Sequence, residues 1–182
     1  MGNVLETITA IFKDFVDEEP KPHLHVGEVM ALWTAYTAFH EAHMLYQICL
    51  NSTGDKDLKH AITAAYSSSK QDTKKIEEFL KKEGVSMPSV SSPKPNSNPD
   101  SIPEGVRLTE KELANLISVK IATSISFCAQ AASQSVRTDV GLLFFEIQVH
   151  LMEYMAQLKR VMKNRGWLNI PPSYIPPGIP ES

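Results

Sequence analysis

The stretch Val136–Trp167, VRTDVGLLFFEIQVHLMEYMAQLKRVMKNRGW, reads as one long helix that is apolar nearly all the way round. At about 100° per residue, Asp139, Glu146, His150, Glu153, Gln157 and Asn164 fall on a single line. Leu142, Leu143, Phe144, Phe145, Ile147, Leu151, Met155, Leu158 and Met162 cover the rest of its surface. The polar line is either a strip of solvent or a seam turned inward, and only the second would give a site. A peripheral helix of a four-helix bundle needs about three to four apolar positions in seven, and this one has more. The surplus calls for cover by another part of the chain or by a second copy.

Outward from this helix, proline marks the organisation. All 12 prolines lie in three places, at Pro20 and Pro22, from Pro88 to Pro103, and from Pro171 to Pro180, so everything between is free to be helix. Thr109-Glu110-Lys111-Glu112 is a capping box, and Leu108 can staple to Leu113. The helix it opens carries Leu116, Ile117, Ile121, Phe127 and Ala131 among many small residues, and a break near 133–137 leads into the last helix. That helix stops at Asn164-Arg165-Gly166.

Upstream, a first bundle helix over about Gly27–Leu50 has a weak cap, with His25 where Ser or Thr is preferred and Glu28 three residues on. The turn Asn51–Gly54 offers a glycine for a left-handed cap, and Asp55 can cap the next helix, which runs from about Lys56 to Glu83 and stops at Gly84. Short turn, long proline-rich crossover, short turn predicts an all-α, ferritin-like four-helix bundle with its long connection between the second and third bundle helices. The expected single domain comprises an N-terminal amphipathic helix within 1–19, built on Val4, Leu5, Ile8, Ile11, Phe12, Phe15 and Val16. A helix pair at 26–84, the crossover at 85–108, a second pair at 109–167 and a proline-rich tail at 168–182 follow.

Bulk properties narrow the function classes. A formal net charge of −3 over 182 residues supplies no basic field for nucleic acid. Neither Cys49 nor Cys128 has a CxxC partner, which suits small core residues in a reducing compartment. No apolar run approaches the roughly 20 residues of a membrane span, and the first residues have no basic region of the kind that opens a signal peptide. The expected setting is therefore not one reached through a signal peptide, and no membrane is implied.

Ferritin-like bundles raise a metal question, because their di-metal sites use a Glu from each of two helices and Glu-x-x-His from each of the other two. No Glu-x-x-His occurs here, and the nearest match is Glu146 with His150. The second bundle helix offers only Asp72, and Glu110 and Glu112 are spent on a cap. The candidate ligands that remain are His40, His43, Glu146 and His150, with Glu153 beside them, a set able to hold at most one zinc-like divalent ion. The plainer reading makes His40 and His43 hydrogen-bonded core residues and the Glu146–His150–Glu153 line a solvent stripe. Trp33, Tyr36, Phe39, Tyr46, Phe144, Phe145 and Tyr154 either fill the core or line a ligand cavity. Phosphate loops, GxSxG and HExxH motifs are all missing, so no catalytic residue is expected.

Three strings carry a resemblance. Glu28-Val-Met-Ala-Leu-Trp33-Thr-Ala-Tyr36, Ser135-Val-Arg137-Thr-Asp139-Val, and Arg165-Gly166-Trp167-Leu168 followed by Pro171-Pro172 resemble an uncharacterised ferritin-like family of spore-forming bacteria, similar to spore coat protein F-like proteins. The resemblance spans Leu24 to Pro172, and the stretched, serine-rich crossover departs from it. Larger members look like two such units in tandem, which implies that a single unit pairs with itself. The resemblance implies no enzyme activity or cofactor. The expectation is a non-enzymatic bundle acting by association, a homodimer with coat proteins as further partners, in the cytoplasm or the spore coat. The alternative is a degenerate ferritin-like binder of a metal or small ligand.

Overall fold

A computed structural model describes residues 21–174 and residue 176. The amphipathic helix expected within 1–19 and the end of the tail lie outside the described residues. Four helices carry the fold, α1 (Val26–Ser52), α2 (Lys56–Lys82), α3 (Glu110–Gln134) and α4 (Thr138–Asn164), and no strand occurs among the described residues. At 1.5 Å per residue each is about 40 Å long. α1 packs on α2 and α3 on α4, and contacts of α2 with α4 and of α1 with α3 close the ring. The expected ferritin-like connectivity is borne out, since the only α-helix-free span between bundle helices longer than a tight turn is 83–109, which holds two single 3-10 turns at Pro99–Ser101 and Glu104–Val106.

Local chemistry starts and stops these helices. His25 forms a full capping box, its Nδ1 accepting from the amides of Gly27 (3.0 Å) and Glu28 (3.3 Å) while Glu28 Oε2 accepts from His25 N (3.1 Å). An imidazole acceptor thus does the work of the expected hydroxyl. Asp55 caps α2 through Leu58 N, and Thr109 caps α3 in the predicted box with Glu112. α2 and α4 end at Gly84 (φ 71°) and Gly166 (φ 69°), where a left-handed residue lets the following amide reach back to a terminal carbonyl. Gly54 does not play that part. α1 instead ends at Thr53 in an extended conformation, and Gly54 has no positive φ.

The core is a column of apolar side chains, among them Leu32 and Phe39 of α1, Ile62 and Ile76 of α2, Ile117 and Ile121 of α3, and Phe144 and Ile147 of α4. Carboxylates lock its two ends reciprocally. Glu28, at the start of the first hairpin, sends Oε1 to the amides of Val136 (2.9 Å) and Arg137 (2.7 Å) in the turn of the second. Glu110, at the start of the second hairpin, accepts from the Thr53 hydroxyl and the amides of Gly54 (2.8 Å) and Asp55 (3.3 Å) in the turn of the first. Glu110 is therefore not spent on its own helix, contrary to the expectation above, because Glu112 alone completes that cap.

Further ion pairs surround each lock. Arg137, 3% exposed, grips both oxygens of Glu83 at 2.9 Å, pairs with Asp139 at 2.8 Å, and lies over the Phe79 ring. Arg165 ties the end of α4 to Asp55 and Asp57. The crossover is strapped to α1 by two amide side chains. Gln47 accepts from Lys94 N (2.8 Å), and Asn51 both donates to Pro95 O (2.9 Å) and accepts from Ser97 N (3.1 Å).

Candidate functional site

Two polar groups interrupt the core halfway along the bundle. On the α1/α2 side, His43 Nε2 lies 3.0 Å from Ser69 Oγ and 3.3 Å from Thr73 Oγ1, and the Thr73 hydroxyl donates to Ser69 O. Tyr36, His40, His43 and Tyr66 follow one another edge to face. On the α2/α4 side, buried Asp72 meets the half-buried His150, Oδ1 to Nδ1, at 2.9 Å. Ser69 and Asp72 stand three residues apart on α2, yet their partners belong to different neighbouring helices.

Burial sets the electrostatics. It pushes the His43 imidazole down to about 4, with the Ser69 contact opposing and His40 and Lys70 adding repulsion. It lowers His40 against the raising effect of Glu77 and Glu41, and it raises the Asp72 carboxyl against the hydrogen bond and charge of His150. Both thiols, Cys49 and Cys128, are raised to about 12 by burial, so neither is a ready nucleophile.

The four candidate ligands are not brought together. His40 and His43 belong to the α1/α2 group, with His43 engaged by hydroxyls. His150 belongs to Asp72, and exposed Glu146 pairs with Lys75 Nζ at 2.7 Å. Three residues before His150, where a metal-binding pair would place its Glu, stands fully buried Ile147. Among the described residues no group of three or more His, Cys, Asp or Glu side chains could hold an ion. The described residues do not fit a ferritin-type metal centre, because they do not bring together its set of carboxylates and histidines. Along the polar line Glu146, Glu153 and Gln157 are exposed, whereas His150 is half-buried against Asp72, so the line is a solvent stripe that turns inward at His150.

The Ser69–His43 contact has the length of a nucleophile–base pair, but it is enclosed between paired helices. The surface depressions, one along α2/α4 lined by Lys75, Phe79 and Leu142 and another along α1/α3 lined by Met30, Thr34 and Phe127, include neither residue. Single-sequence reasoning missed the residues with the most elaborate contacts, Glu28, Arg137 and Glu110. A signal existed for two of them, since Glu28 and Arg137 sit in the strings that carry the family resemblance. Those strings, with Arg165, coincide with the end locks, so what they encode is closure of the bundle.

The outer surface is more distinctive than the interior. Val26 (83%), Met30 (60%) and Val119 (66%) stand exposed, with Trp33, Ile48 and Leu116 more than a third exposed, all on α1 or α3. On α4, Val149 and Met152 are exposed, while Leu142 and Leu143 are half-buried.

With this geometry in view, comparison with known proteins is informative. The chain is 30% identical over 152 residues to the uncharacterised protein YvdQ of Bacillus subtilis (strain 168), covering 84% of this chain and 89% of that one. A crystal structure described as a "putative spore coat protein" from Bacillus halodurans C-125 superposes with a TM-score of 0.82 at 32% identity, covering 85% of this chain and 98% of that one. A two-domain protein of Anabaena variabilis with DJ-1/ThiJ/PfpI-like and ferritin-like domains matches at a TM-score of 0.64 and 15% identity, over 86% of this chain and 42% of that one, a likeness of fold alone. The family model described as "Protein of unknown function (DUF3231)" matches residues 15–178, and the chain belongs to that family.

Proposed function

We propose that this protein is a non-enzymatic association module of the spore coat, a rigid helical bundle whose task is to present a surface to other proteins. One observation carries the reading: His43 and Asp72 of the middle are engaged by Ser69 and His150, leaving only His40 Nε2 among the buried side-chain polar atoms of the described residues without a hydrogen bond, while large apolar side chains of α1 and α3 are left outside. Exposed apolar side chains concentrated on the α1/α3 layer, around a shallow open depression lined by Met30, Thr34 and Phe127, fit contact better than chemistry. The similarity to a Bacillus halodurans protein described as a spore coat protein supports the setting. The split of His40 and His43 from Glu146 and His150 argues against the metal-binding alternative.

The test is fractionation. The full chain, epitope-tagged and produced in a sporulating Bacillus, should be recovered with the coat extract of purified spores and not with the soluble mother-cell lysate. Recovery wholly in the soluble fraction would overturn the reading.

A further inference from the structure

We infer that the outer surface of the α1/α3 layer is the face through which two copies of this chain pair. The inference rests on the association function proposed above and supplies its partner.

The bundle has two unlike sides. α2 carries Lys70, Lys74, Lys75, Glu78, Lys81 and Lys82 on its outer surface, as a helix facing water does. α1 has a single Asp or Glu after Glu28, at Glu41, and no Lys or Arg, while α3 has no charged residue from Ile121 to Gln134. A helix so apolar on every side is ordinarily enclosed, yet the outer ridge of α1 is open from Val26 through Met30 to Trp33. Contrary to the expectation that no apolar run approaches a membrane span, an 18-residue window of the α3 segment is apolar enough by composition, and only 28% of it is buried among the described residues. The crossover is tied to α1 at Gln47 and Asn51, near one end of the layer, and leaves Met30, Trp33 and Val119 bare.

Charge identifies the occupant. The layer's charges away from the end locks are Glu41, Lys111, Glu112 and Lys120, two of each sign, and Lys120 is half-buried in the field of Glu41, so they offset one another within one protomer. A two-fold axis brings a patch onto its own copy, where any net charge would repel itself. This patch has none to repel, and it offers an acidic or basic partner nothing to complement. Size agrees. Two helices about 40 Å long and together about 20 Å wide present on the order of 800 Å2, which is what one partner contributes to a standard stable interface.

The experiment is sedimentation equilibrium of the full chain from micromolar to hundreds of micromolar, with Met30→Glu, Val119→Glu and, on α4, Met152→Glu. All three positions are exposed, so folding should survive, which thermal melts of each variant verify. The expected result is a wild-type dimer whose dissociation constant rises at least about tenfold in Met30→Glu and Val119→Glu, because each places like charges near the axis. Met152→Glu should leave it unchanged. A dimer disrupted by Met152→Glu but not by Val119→Glu overturns this face while leaving the association function intact. A wild-type monomer at every concentration overturns the second copy as partner, and the coat-fractionation result then bears on the broader function alone. A wild-type monomer that co-sediments with phosphatidylglycerol-containing vesicles assigns the face to a lipid surface and likewise overturns the inference.

Discussion

His43 shows how one buried residue couples the core to pH. Folding holds its imidazole near 4 instead of the ordinary 6.5. The unfolded chain therefore takes up a proton between those values that the folded chain refuses. The stability that His43 contributes by staying neutral, about 3 kcal/mol, is present above 6.5, falls as pH drops toward 4 and is gone below it. Asp72, raised by burial, acts in the opposite direction and only as pH nears the carboxylate range. Urea titrations between pH 7 and 4.5 should show a shallower fall for His43→Gln than for the parent, and parallel curves would refute the assignment. Glu28 makes a second residue-level case. Its carboxylate serves three backbone amides, of His25, Val136 and Arg137, and each orphaned buried donor costs about 1–3 kcal/mol. Glu28→Ala should lower unfolding free energy by about 3 kcal/mol or more and Glu28→Gln by less, whereas a loss under about 1 kcal/mol for the alanine variant would show the lock to be incidental. The cap half of Glu28's work was readable, since a box of four consecutive residues is local. Its other half was not, because the second partner lies 108 residues away.

Among the elements, helix extents and the place of the long connection followed from proline spacing and caps, since those signals act on the backbone where they stand. What the crossover does could not be read, because Gln47 and Asn51 look like ordinary polar positions until a chain segment 46 or 47 residues downstream lies across them. Asn51 holds that segment on both sides of one residue, Asn96, through Pro95 O and Ser97 N. In Asn51→Ala, amide exchange at Ser97 should quicken about two- to tenfold while Lys94, held by Gln47, keeps its rate. Equal acceleration at both would mean that the strap moves as one piece, and no acceleration would mean that the contact does not hold it. α4 presents a mixed outcome: its apolar excess was apparent from composition, and Val149 and Met152 are indeed exposed. The larger bare area lies on α1 and α3, however, because which ridges remain outside depends on how the ring closes, and composition does not encode that.

For the molecule as a whole, the ferritin-like architecture was accessible from sequence, because two short turns and one long proline-rich connection dictate how four helices pair. The division into a charged α2/α4 side and a nearly uncharged α1/α3 side emerged only from the assembled bundle. If the uncharged side mediates pairing, raising sodium chloride from about 50 to 500 mM should change the dimer dissociation constant by less than about threefold, and sulfate should tighten it. Weakening of about tenfold over that range would point to the charged side instead. The reciprocal carboxylates carry a consequence for how such a chain acquires its shape. Each hairpin's turn amides are satisfied by an acid that belongs to the other hairpin, through Glu28 in one direction and Glu110 in the other. A hairpin released first from the ribosome thus holds its partner's missing ligand and lacks its own. Neither half can complete itself by waiting, so the two become native together, as a mutual exchange, and half of this molecule is not half of its fold.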